Sequence, residues 1–122
     1  LDRARRRAAA AGVAVLVDFV EADLTTWQGA GYDLVCSHYV HATRPLYGRL
    51  AQAVAPGGTL LLVAHQPGGD HPHGSEHTPQ EIAEHLDPAA WKIERADTAT
   101  RTAGAHHLSD TILQASRYNP QL

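Results

Sequence analysis

The sequence predicts an α/β fold: a mostly parallel sheet that ends in an antiparallel hairpin. Three observations carry that expectation. Apolar strand-like runs alternate with helix-forming stretches through residues 1–86, the order that builds parallel sheets. Residues 59–64 are continuously apolar apart from Thr59, as in a strand covered on both faces. Near the C-terminus, residues 91–98 and 108–117 both read as strands and follow one another with only a loop between them, which implies an antiparallel pair.

Taken in order, residues 2–11 are rich in alanine and arginine, both strong helix formers. Gly12 stands where a left-handed residue closes a helix. Residues 13–20 are dense in valine and contain Phe19, so they read as a strand. Residues 29–31 are a loop, and residues 34–37 form the next strand. Pro45 suits the first turn of a helix. Leu46, Leu50 and Val54 then recur at a spacing of four, one apolar stripe. Pro56, Gly57 and Gly58 stop that helix. Residues 65–77 form a polar loop holding His65, Asp70, His71, His73 and His77. Thr78, Pro79 and Glu81 make a helix-start signature, with a helix to about residue 86.

The chain has 122 residues, enough for one core. It is 43% hydrophobic and 19% charged, a globular composition. Its formal charge is −3 with nine neutral histidines, and full protonation of the histidines would reverse the sign. That balance argues against nucleic acid as a partner. The arginines at 3, 5, 6 and 7 suit the solvated face of a helix. Cys36 is the only cysteine, so no intrachain disulfide forms and a reducing, cytoplasmic setting fits. No apolar run has the length of a membrane span. A small-molecule substrate is therefore expected, with no membrane partner. The chain starts at Leu1 and has no methionine, which suggests a processed or clipped product.

Three stretches together resemble the class I, Rossmann-like methyltransferases that use S-adenosylmethionine. Residues 18–24, Asp-Phe-Val-Glu-Ala-Asp-Leu, are similar to the end of that family's third strand. Residues 32–37, Tyr-Asp-Leu-Val-Cys-Ser, resemble the fourth strand. Residues 50–62, with Val-Ala-Pro-Gly-Gly-Thr-Leu at 54–60, resemble the helix, turn and fifth strand. The likeness covers about residues 1–64. It implies S-adenosylmethionine as cofactor and methyl transfer to a small-molecule oxygen or nitrogen. The family's glycine-rich first turn, and the acidic residue ending its second strand, have no counterpart here. The N-terminal strands of the domain are thus expected to be missing, and the whole chain to be a partial methyltransferase domain. In the family's sheet order, the strand at residues 13–20 would then lack a neighbour. Either the fragment rearranges, or it borrows pairing from a second copy as a homodimer.

The resemblance also implies site residues. Asp23 would accept a hydrogen bond from the adenine amine, with Leu24 flanking the ring. Ser37, His38 and Tyr39 would line the cofactor pocket. His38 or His41 would act as a base, taking a proton as methyl transfer proceeds. Many such enzymes need only hold the two reactants in position. Cys36, inside its strand, reads as a core residue, and Trp27 and Trp91 as packing residues. Arg101, His106 and His107 flank the last hairpin and read as exposed. No metal site is expected, although His65, His71 and His73 are histidines of a kind that can hold zinc. A second reading follows from them: a non-catalytic or metal-binding α/β module, or an inactive fragment.

Overall fold

A computed structural model describes residues 1–40, 44–65 and 78–120. The α/β expectation is met by a four-stranded mixed sheet with helices α1 (Asp2–Ala10), α2 (Arg44–Ala53) and α3 (Pro79–Glu84). Strands β1 (Tyr32–His38), β2 (Val54–His65), β3 (Trp91–Ala103) and β4 (His106–Arg117) are ordered β1-β2-β4-β3. β1 and β2 are parallel, while β2–β4 and β3–β4 are antiparallel. The antiparallel C-terminal hairpin is therefore present, turning at Gly104 with φ +63°. Its strands run several residues beyond the expected bounds, because the ladder stays in register out to the Ala103–His106 pair.

Strand alternation sets the core. Val35, Leu60, Leu62, Leu113 and Ala115 share one face and are buried. Leu46 and Leu50 of α2, Ile82 of α3 and Trp91 complete that core, and Trp27 packs against it. The two tryptophans are packing residues, as expected. Thr78 caps α3 by accepting a hydrogen bond from the Glu81 N–H at 3.1 Å, which fixes where that helix starts. α1 closes as the sequence suggests: Gly12 has φ +73°. Its N–H donates to Ala9 O at 3.1 Å and that of Val13 to Ala8 O at 3.0 Å, both bonds of a left-handed helix stop.

Three expectations are corrected. Residues 13–20 form no strand. Ala14–Leu16 is a single 3-10 turn followed by unpaired extended chain. A strand needs a neighbour for its N–H and C=O groups, and none of the four strands lies beside this segment. Second, α2 ends at Ala53, and Val54 already belongs to β2. Pro56, Gly57 and Gly58 make an irregularity at the start of β2: Tyr32 pairs with Val54, but Leu34 pairs with Thr59. Gly58 fits there because a Cβ would stand 2.9 Å from Asp33 O. Third, Cys36 is exposed rather than buried. It lies on the sheet face opposite Val35, which no described helix covers. For the same reason β2 is fully buried on one face only: Leu61 and Val63 are half-buried.

Candidate functional site

The parallel strands β1 and β2 end side by side, with His38 paired to Val63. Ligands of α/β sheets sit beyond such carboxyl ends. Tyr39 follows β1, and its N–H donates to Val63 O at 2.8 Å. Its φ is +59°, and it is the only described non-glycine residue with a positive φ. That conformation is uncommon and costs on the order of 1 kcal/mol or more. Tyr39 and His65, the last residue of β2, lie with ring centroids 4.7 Å apart at 31°.

The Tyr39 hydroxyl donates to Asp110 Oδ2 at 2.8 Å. Arg101 Nε of β3 donates to the same oxygen at 2.8 Å, and the guanidinium stands 5.3 Å from the Tyr39 ring centre. Asp110 pairs directly with His65 across the β2–β4 ladder. Its side chain is only 8% exposed, and Oδ1 is buried without a hydrogen-bond partner. His65 Nδ1 lies 3.9 Å from that oxygen. Desolvation first, then the bond to Asp110, pushes the Tyr39 phenol above its usual range. The bond to Asp110 likewise raises Arg101, holding it charged.

These four side chains come from β2, β3, β4 and the residue that follows β1, and three of them, Tyr39, His65 and Arg101, are singled out by the sequence. Asp110 was missed altogether. The available signal was a carboxylate directly before the apolar run Thr111, Ile112 and Leu113. Arg101 was expected to be exposed, but it is half-buried on Asp110. His107 is exposed, as expected.

The residues expected to hold a cofactor do not form one group. Ser37 and His38 point to opposite faces by strand alternation. Ser37 is half-buried beside a small cleft with Val40, Tyr47, Leu62 and Ile82. His38 is exposed on the uncovered face. Asp23 is exposed, and its Oδ1 accepts from the Thr25 N–H at 2.9 Å and Oγ1 at 2.7 Å. Those two bonds hold its carboxyl below the usual range. Leu24 is 41% exposed, and its carbonyl accepts from Arg49 Nη2 at 2.9 Å, tying this turn to α2. His41, Asp70, His71, His73 and His77 lie outside the described residues. Among the described residues no group of three or more histidine, cysteine or acidic side chains is placed to hold a metal. No described helix is long and apolar enough to cross a membrane.

The fit to S-adenosylmethionine is partial. Asp23 Oδ2 takes no hydrogen bond from a described residue, and Leu24 is open beside it, which suits the edge and face of an adenine. The remaining determinants of that cofactor are not gathered here.

No protein-family model matches the chain, and no curated protein matches it. Solved structures do. An O-methyltransferase family protein from Burkholderia thailandensis superposes with a TM-score of 0.67 at 23% identity, over 98% of this chain and 41% of that one. The S-adenosylmethionine-dependent methyltransferase SibL gives 0.63 at 20% identity, over 95% of this chain and 40% of its own length. The [4+2]-cyclase SpnF gives 0.62 at 14% identity, over 93% and 60%. The chain thus spans less than two thirds of each of these three. The chain has the α/β fold that part of each of these proteins shares.

Proposed function

We propose that this chain is part of an S-adenosylmethionine-dependent methyltransferase domain acting on a small-molecule oxygen or nitrogen, in a cytoplasmic setting. The observation that supports this reading is the polar cluster of Tyr39, His65, Arg101 and Asp110 at the carboxyl end of the parallel strand pair. It stands where an acceptor would lie, in a fold shared with solved O-methyltransferases. Asp23 and Leu24 would meet the adenine, and Ser37, His38 and Tyr39 would border the cofactor. When bound, S-adenosylmethionine supplies an electrophilic methyl group. The chain's own residues bind and orient the acceptor and take up its proton, and His38 and His41 remain candidates for that last role.

Calorimetric titration of the full-length protein that carries this chain with S-adenosylmethionine tests the reading. Saturable binding, weakened in Asp23→Ala, is the expected result. No heat of binding rejects the reading, and an unchanged affinity in the variant rejects the role of Asp23.

A further inference from the structure

The turn at residues 23–27 is held from within and from α2. Within it, the Asp23 carbonyl accepts from the N–H groups of Thr26 at 3.1 Å and Trp27 at 2.8 Å. Asp23 Oδ1 accepts from the N–H and hydroxyl of Thr25. An aspartate that closes its own turn in this way has little side-chain freedom left. Trp27 packs against the core and fills the space beside Gly29, where a Cβ would stand 2.7 Å from the indole. The chain before the turn has no such hold, since Val15, Leu16 and Val20 are exposed. Arg49 of α2 supplies the hold from outside. It lies 25 residues away in sequence, and its Nη2 donates to Leu24 O at 2.9 Å.

We infer that Arg49 is the positioning residue that sets Asp23 and Leu24 for a purine carrying an exocyclic amine. This rests on the reading that Asp23 and Leu24 meet an adenine. Two effects of Arg49 converge on that pair. Its bond fixes the backbone of Leu24, the residue that would flank the ring. Its charge also acts on Asp23. The Thr25 hydroxyl and N–H hold the Asp23 carboxyl below its usual range, and Arg49 adds to that. The carboxylate is thereby kept as an acceptor for an amine.

Fold stability does not account for this arginine. Its Nε is shut off from solvent and has no hydrogen-bond partner. A buried donor left unpaired is costly, and an apolar side chain of similar length would avoid that cost. Arg49 therefore acts through Leu24 and Asp23 without touching the purine itself.

Calorimetric titration of the full-length protein that carries this chain tests the inference. The probes are S-adenosylhomocysteine and its analogue with hydrogen in place of the adenine amine. The unmodified protein is expected to prefer the amine-bearing ligand about tenfold, as one charge-assisted hydrogen bond requires. In Arg49→Met that preference is expected to fall toward one, while urea unfolding changes little. A merely structural role would weaken both ligands alike and leave their ratio unchanged, which overturns the inference. Loss of folding in Arg49→Met overturns it too, because it makes Arg49 a support of the fold. Carbon NMR titration of the Asp23 carboxyl, without ligand, separates the two claims. The midpoint is expected to rise in Arg49→Met, and an unmoved midpoint overturns the inference. Absent binding of both ligands rejects the methyl-transfer reading, while the carboxyl titration still tests the hold of Arg49 on the turn.

Discussion

Two strongly apolar stretches meet opposite fates in this chain. Residues 13–20 read Val-Ala-Val-Leu-Val-Asp-Phe-Val, and residues 59–64 read Thr-Leu-Leu-Leu-Val-Ala. The second lies in β2 between β1 and β4, with Leu60 1% and Leu62 4% exposed. The first is unpaired, with Val15 94% and Leu16 79% exposed. The difference is a neighbour. β-propensity describes how side chains fit a pleated, half-buried surface, and it has no effect where no ladder is on offer.

Core truncation should break the comparison most strongly. Leu113→Ala removes a side chain 1% exposed and is expected to cost about 2–5 kcal/mol in urea unfolding. Val15→Ala should stay within about 0.5 kcal/mol. Equal losses would mean that residues 13–20 are packed after all. Next comes the polar end of the sheet. Asp110→Ala leaves Tyr39 and Arg101 without their acceptor, and a loss of about 2–3 kcal/mol is expected from the buried hydrogen bonds given up. A neutral outcome would show that the cluster contributes nothing to stability. Thr78→Ala removes the α3 cap, and a smaller loss of about 1 kcal/mol is expected in the same assay.

The smallest effect is a pH dependence. The Tyr39 phenol is raised in the folded chain, so the folded state holds that proton more tightly than the unfolded state does. Its contribution is complete below the ordinary phenol range and is lost as pH rises through the raised value. Urea midpoints measured into the alkaline range should therefore fall more steeply for the unmodified chain than for Tyr39→Phe. Parallel curves would mean that the Tyr39 phenol is not raised in the folded chain.

Much of the fold was legible because its signals are local. Gly12 closes α1, Thr78 opens α3, and the stripe of Leu46 and Leu50 faces the core. The candidate site was less legible because it is made of long-range contacts. Tyr39 and Asp110 are 71 residues apart, and no periodicity in the chain announces that they meet. The alternation that buries Val35 and exposes Cys36 could be read along β1, but which face carries helices could not. Ser37 and His38 were separated for the same reason.

By itself, then, the sequence determined where α1 closes and α3 starts, that residues 59–64 form a strand, and that the last two strands form a hairpin. Those features follow from capping, turn chemistry and apolar runs, all written within a few residues. Only the tertiary structure decided that residues 13–20 stay unpaired, that β2 begins at Val54, and that a buried aspartate gathers Tyr39, His65 and Arg101. A strand exists only with its partner, and a buried charge persists only with donors brought from elsewhere in the chain.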